Sequence, residues 1–287
     1  MAIEGLTIIG ESINDSVPPT KKLFDANDIE GLKELAKKQD ALGAAYIDVN
    51  VGMRSAEFMA SMVREVQSVT GKPLSIDTPD AALAKAGLEA YDLDRAGGKA
   101  PILNSISPLR PEMFDLYGIQ PFWPILMVSE RVEGGDSRPN RTAEETYRTA
   151  KEMVRAAGEH TIGVGHCIVD PAIGPIGSDM EGNTKRVLAT MKLIHEDPAL
   201  AGIHISVGLS NFTVMLPSKR ADGSPVKGPL ESAFLTKAMR LGLDMIIGST
   251  VRKYEILPGD HPAMVCLEAF LQADDVEGII KVQEFYS

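Results

Sequence analysis

The chain has 287 residues, of which 44% are apolar and 24% charged, a composition typical of a folded globular protein with a sizeable core. Its net charge of −11 argues against nucleic acid or an anionic membrane as the main partner, because both attract positively charged surfaces. The two cysteines, Cys167 and Cys266, do not predict a disulfide framework, and we recognise neither a leader segment nor an apolar run of membrane-spanning length. We therefore expect a cytoplasmic protein.

Short apolar runs alternate with longer amphipathic segments along the whole chain, which is the pattern of repeated βα units around a parallel sheet. The predicted strands are 6–10, 46–51, 73–76, 101–103, 124–128, 167–169, 203–209 and 245–247. The predicted helices lie near 28–43, 55–70, 79–91, 108–117, 142–157, 181–195, 229–242 and 261–272. Eight of each predict a single α/β domain over residues 1–287, folded as a (β/α)8 or TIM barrel.

Two long polar segments, 133–141 and 217–229, each follow a predicted strand. We predict loops there, at the end of the barrel where enzymes of this fold keep their sites. The second segment is locally basic, with Lys219, Arg220 and Lys227. Its charge favours an anionic ligand tail or an acidic partner, and a solvated loop is an equal alternative.

Polar side chains stand where the predicted strands end. They are Glu11, Asp48, Asn50, Asp77, Asn104, Glu130, Asp170 and Asn211. Such residues often only cap the next helix, but Thr78 and Ser107 are placed to cap after Asp77 and Asn104, and a glycine-bearing loop follows Asp170. Because the carboxyl ends of barrel strands all face one mouth, we predict that these polar groups line a ligand pocket.

The residue types in this set indicate the chemistry of the ligand. Carboxylates accept paired N–H donors such as those of a pteridine ring, and amides suit its carbonyl and ring nitrogens. A phosphate ligand would favour Arg, Lys or a glycine-rich helix start, and the sequence has no GxGxxG or Walker-type loop. The five histidines have no recognised metal-ligand spacing, so we predict no metal site.

Six segments carry a resemblance to a known family. They are IIGESIN (8–14), IDVNVG (47–52), SIDT (75–78), LNSIS (103–107), VDP (169–171) and VGLSNF (207–212). Together they are similar to the pterin-binding methyltransferases of corrinoid-dependent one-carbon metabolism. The resemblance implies methyl transfer between cobalamin on a separate corrinoid protein and N5 of tetrahydrofolate, and it implies a homodimer.

The resemblance also implies roles for individual residues. Asn211 matches a catalytic asparagine near N5 of the folate, and Asp77 could assist protonation of N5 through water. The residues that match or support the pterin-binding positions are Asp77, Asn104, Asp170, Asn211, Glu11, Asn14, Asp48 and Asn50.

Dihydropteroate synthase is the nearest alternative, because that family resembles the chain at SIDT and at DPAIG (170–174). Two departures count against it: Ser210-Asn211-Phe212 replaces its Ser-Arg-Lys, and IIGSTV (246–251) lacks its Arg-x-His. A non-catalytic folate-binding protein or scaffold for a corrinoid protein is the other alternative. Relatives of this size in the demethylation of methoxylated aromatics or glycine betaine favour formation of methyltetrahydrofolate.

Overall fold

Eight parallel strands close into a barrel in the computed structural model, which describes residues 3–287 apart from the side chain of residue 275. The barrel strands are β1 (Thr7–Asn14), β2 (Tyr46–Asn50), β3 (Leu74–Asp77), β4 (Ile102–Ile106), β5 (Trp123–Met127), β8 (Ile168–Asp170), β9 (His204–Gly208) and β10 (Met245–Gly248). Their order around the barrel is β1, β10, β9, β8, β5, β4, β3 and β2, and β2 pairs again with β1. The predicted TIM barrel is confirmed.

Helices surround the barrel and connect its strands. They are α1 (Pro18–Asp25), α2 (Ile29–Ala41), α3 (Ala56–Gln67), α4 (Ala81–Ala90), α5 (Ala143–Glu159), α6 (Asn183–Glu196), α7 (Leu209–Phe212), α8 (Lys227–Ala238), α9 (Pro262–Gln272) and α10 (Asp275–Tyr286). In the part of the chain that the structure describes, none of them is both long and apolar enough to cross a membrane.

Several elements differ from the prediction. The expected loop 133–141 is largely an antiparallel hairpin of β6 (Glu130–Glu133) and β7 (Asp136–Pro139), which turns at two glycines with positive φ. The expected helix 108–117 is a 3-10 helix over Pro111–Gly118, and α1, α7 and α10 are additional to the predicted set. The cap of α4 is Asp80 and not Thr78, since the Asp80 carboxylate accepts from the first backbone N–H groups of that helix.

Apolar side chains fill two regions. Five residues from five strands form a small cluster inside the barrel: Ile9, Ile102, Ile125, Ile168 and Met245. A much larger cluster packs the outer faces of the strands against the surrounding helices. This double packing keeps the strands rigid, so the side chains at their carboxyl ends are held in fixed positions.

Candidate active site

A cavity of about 300 Å³ opens at the carboxyl ends of the strands. Six of the eight residues predicted to bind the pterin line it: Glu11, Asn14, Asp77, Asn104, Asp170 and Asn211. Glu130, also predicted at a strand end facing the pocket, is on the hairpin strand β6 and does not line this cavity. Asp77 and Asn104 are paired in register on β3 and β4, and Asp170 on β8 is paired with Met127 on β5. Ile173 and Ile247 add apolar wall to the same cavity. The pocket therefore combines a polar edge with apolar surfaces, as a flat polar heterocycle requires.

Asp48 and Asn50 do not line this cavity. Asn50 donates from Nδ2 to Oδ2 of Asp77 at 2.9 Å and accepts from the backbone N–H of Gly52 at the same distance. Asp48 lies two residues earlier on β2 and is completely buried. Asn50 therefore acts on the cavity through Asp77, and Asp48 lies behind the lining residues Asp77 and Asn104, although both were predicted among the ligand-binding residues.

The carboxyl groups of Asp48 and Asp77 form a buried pair. Burial raises the pKa of Asp48 well above its usual range, and the negative charge of Asp77 raises it further. Ser75, Asp77 and Asn104 are the polar neighbours of Asp48, yet neither Asp48 oxygen has a partner in hydrogen-bond geometry. Burial also raises the pKa of Asp77, but the amide of Asn50 opposes this. The two carboxyl groups therefore titrate as a pair, in which the hydrogen bond from Asn50 favours the carboxylate form of Asp77.

Asp170 is 3% exposed, and burial raises the pKa of its carboxyl to about 7. Its Oδ1 accepts from the backbone N–H of Ala172 at 2.8 Å, and Ser206 Oγ lies 3.5 Å from Oδ2. Asp170 therefore stabilises the turn that follows β8. The sequence analysis does not predict this local role. One oxygen is held by the backbone, and the carboxyl still lines the cavity.

Asn211 lies on the single turn of helix α7, directly after β9, and it is exposed at the mouth of the cavity. The residues beside it are anchored on both sides. Ser210 donates its hydroxyl to the carboxylate of Glu11 on β1. Thr213 donates its hydroxyl to the carboxylate of Glu231, which is completely buried on α8.

Glu231 also forms an ion pair with the guanidinium of Arg252, in the segment that follows β10. Burial raises the pKa of Glu231, and its contacts with Thr213 and Arg252 oppose that rise. The sequence analysis does not identify Glu231, although a single acid within the apolar segment LESAFL (230–235) is a signal that could reveal it. Glu231 joins the segments after β9 and β10 behind Asn211.

No group of three or more His, Cys, Asp or Glu side chains is arranged to hold a metal ion within the described residues. The cavity instead offers carboxylates and amides, which accept from N–H donors and can bind a pteridine edge.

Comparisons with known proteins agree with this chemistry. The model of a family described as pterin binding enzyme matches residues 19–248. A methylcorrinoid:tetrahydrofolate methyltransferase from Eubacterium limosum is 28% identical over 251 residues, which cover 84% of each chain. These two matches confirm the family resemblance that the six segments carry.

Solved structures extend the similarity to the fold. The 7,8-dihydropteroate synthase from Vibrio fischeri is 15% identical with a TM-score of 0.58, over 98% of this chain and 92% of that one. The dihydropteroate synthase from Thermus thermophilus is 19% identical with a TM-score of 0.57, over 88% of this chain and 90% of that one. At such identities the structures support the barrel alone. The family match spans most of the sequence, and the chain therefore belongs to the family of pterin-binding enzymes.

Proposed function

We propose that the enzyme transfers a methyl group between a separate corrinoid protein and N5 of tetrahydrofolate. The observation that carries the proposal is the neutral amide of Asn211, which shares one cavity with the carboxyl groups of Asp77 and Asp170. The Eubacterium limosum relative, named for methyl transfer from a methylcorrinoid to tetrahydrofolate, supports the same reaction.

Asp77, Asn104 and Asp170 are suited to hold the pterin. Carboxylates accept from the exocyclic amino group and ring N–H of a pteridine, and the Asn104 amide can serve its carbonyl edge. Glu11 and Asn14 also line the cavity and are proposed as supporting contacts. Because the polar groups lie on strands packed on both sides, the pterin would be oriented without large rearrangement.

Asn211 is proposed to act at N5. In the direction that forms methyltetrahydrofolate, the lone pair of N5 attacks the methyl carbon, the electron pair of the breaking corrinoid–carbon bond stays on cobalt, and the N5 proton passes to water. An uncharged amide can accept a hydrogen bond from the N5 proton in one direction and donate to N5 in the other, without adding a charge that opposes the reaction. We further propose that Asp77 relays protons to this centre through water.

The experiment that tests the reaction supplies tetrahydrofolate and methylcobalamin and measures methyltetrahydrofolate. We expect product from the wild-type enzyme, and for Asn211→Ala a fall in turnover of about 100-fold with a nearly unchanged Kd for tetrahydrofolate. Folate binding without product would favour the non-catalytic alternative. Product only from p-aminobenzoate and a pterin diphosphate would establish dihydropteroate synthase and overturn the proposal.

The proposal extends to the kind of pathway that supplies the methyl group. We propose catabolic demethylation of methoxylated aromatics or glycine betaine in the cytoplasm, with the enzyme acting as a homodimer. Reconstitution with the corrinoid protein of each system tests this, since the cognate protein should give the higher kcat/KM. Equal rates with both corrinoid proteins would contradict a dedicated role in either pathway.

A further inference from the structure

A second cavity, of about 470 Å³, opens at the same end of the barrel. Its walls come from the start of α8 with the segment before it, and from the segment between β10 and α9. Three cationic side chains line it, Lys227, Arg252 and Lys253, together with His261 and one acidic side chain, Glu255. In a chain with a net charge of −11, this concentration of positive charge indicates a site for an anion.

The second cavity is connected to the first by short contacts. Lys227 Nζ donates to the backbone carbonyl of Val214 at 3.2 Å, and Val214 follows Asn211 by three residues. Arg252 pairs with the buried Glu231, and its positive charge also acts on Glu11 in the wall of the first cavity. The basic residues therefore border the side of the pterin cavity on which Asn211 and Glu11 lie.

The order of the strands around the barrel indicates how a folate would be oriented in the first cavity. Asp77, Asn104 and Asp170 lie on β3, β4 and β8, on one side of the barrel order. The exocyclic amino group and N3–H of a pteridine lie on its pyrimidine ring, whereas the tail is attached at C6 of the other ring. With the pyrimidine edge on β3, β4 and β8, the C6 edge faces the opposite sector, formed by β9, β10 and β1. The tail then leaves toward the segments that build the second cavity.

We propose that this cavity binds the carboxylates of the p-aminobenzoyl-glutamate tail of the folate, a role that rests on the proposed function of the first cavity. Lys227 and Lys253 supply charge-assisted contacts to the carboxylates. Arg252 is held in place by its ion pair with Glu231, and its positive charge adds to the attraction for the carboxylates. Of the locally basic segment 217–229, Lys227 at the start of α8 thereby binds part of the substrate of this enzyme.

Two ligands separate recognition of the tail from recognition of the ring. Tetrahydrofolate carries the tail, and 6-methyltetrahydropterin has the same reduced pterin ring without it. We expect the double variant Lys227→Gln/Lys253→Gln to bind tetrahydrofolate about tenfold more weakly, with an unchanged Kd for 6-methyltetrahydropterin. The control is Lys192→Gln, which removes one positive charge outside the cavity. Lys192 is exposed on α6 and pairs with Glu196.

Isothermal titration calorimetry at low and high salt completes the test. Because salt screens the attraction between charges, added salt should weaken tetrahydrofolate binding to the wild type and have less effect on the double variant. Equal losses for both ligands, or no loss for tetrahydrofolate, would overturn the tail site while leaving the pterin cavity intact. If the wild type binds neither ligand, the proposed function fails and the tail site fails with it.

Discussion

The carboxyl of Asp170 makes the pocket sensitive to pH. Burial raises its pKa to about 7, so the group changes from acid to carboxylate near neutral pH. Only the carboxylate accepts from two N–H donors of a pterin, and ligand binding should favour that form. The folded state, by contrast, favours the protonated acid, because the folded-state pKa lies above the unfolded value of about 3.9.

We therefore predict that tetrahydrofolate binds about tenfold more tightly at about pH 8 than at about pH 6, and that Asp170→Asn removes most of this dependence. The stability contribution of protonated Asp170 is complete below about pH 4 and is lost as the pH rises through about 7. The variant should thus gain stability relative to the wild type over that range, by at most about 4 kcal/mol. Titration calorimetry and urea unfolding measure both effects, and an unchanged pH slope in the variant would contradict the assignment.

Glu231 is predicted to position Asn211 without touching the substrate. Its carboxylate holds Thr213, two residues after Asn211, and pairs with Arg252. Glu231→Gln weakens both contacts, and we expect kcat to fall about tenfold while the Kd for tetrahydrofolate changes little, since a small displacement of Asn211 affects the reacting geometry more than ring binding.

A double-mutant cycle distinguishes positioning from general loss of structure. If Glu231 acts through Asn211, then Glu231→Gln should have little further effect on turnover in the Asn211→Ala background. Additive losses in the two variants, or a large fall in Tm that accounts for the lost activity, would show a purely structural role.

The alternation of apolar runs and amphipathic segments suffices to predict the barrel strands, because each strand is buried on both faces. The hairpin of β6 and β7 was not predicted, since both of its strands are charged and largely exposed and lack an apolar period. Helix α7 is a single turn, too short to give a helical pattern. Tertiary contacts, such as that between Thr213 and Glu231, stabilise this turn, and such contacts cannot be inferred from local sequence.

The start of α5 offers a direct test of local stability. Thr142 accepts from the backbone N–H of Glu145 at 3.1 Å, and the Glu145 carboxylate accepts from the backbone N–H groups of Thr142 and Arg141. This capping box satisfies donors that the helix itself leaves unpaired. We predict that Thr142→Ala lowers the free energy of unfolding by about 1 kcal/mol and that Thr142→Ser restores most of it. Urea denaturation measures the difference, and equal stabilities of all three proteins would contradict the role of the cap.

Six predicted residues from four different strands and the α7 turn meet at one cavity, and the parallel topology explains why the sequence could predict this. The placement of Asp48 could not be predicted in the same way. Tyr46, Asp48 and Asn50 alternate onto one face of β2, so Asp48 lies one layer deeper in the barrel than Asn50. Depth along a strand depends on its exact register and end, which sequence patterns locate only approximately.

Exposed apolar side chains lie on several of the segments that follow the barrel strands. They are Met53 after β2, Met180 after β8, Val214 and Met215 after β9, and Val251 after β10. Met53 is fully exposed, and 70% of Met215 is exposed. Apolar groups near a cavity mouth are typical of surfaces that another protein covers, and methionine adapts readily to a partner surface. Under the proposed function, the corrinoid protein must approach this mouth to bring its methyl group to N5.

We predict that Met53→Lys and Met215→Lys each raise KM for the methylated corrinoid protein by about tenfold or more, because each removes apolar area that binding would bury and adds a charge that must be desolvated. Free methylcobalamin makes no such protein contact, so methyl transfer from it should be unchanged in both variants. Leu42→Lys is the matched control, since Leu42 is 47% exposed at the end of α2, shortly before β2 begins, and so lies at the opposite end of the barrel from the cavity mouth. Steady-state kinetics with both methyl donors separate the outcomes. Equal losses with both donors would locate the effect in the pterin cavity, and a KM effect of Leu42→Lys as large as that of the two methionine variants would show that the docking surface is not confined to the cavity mouth.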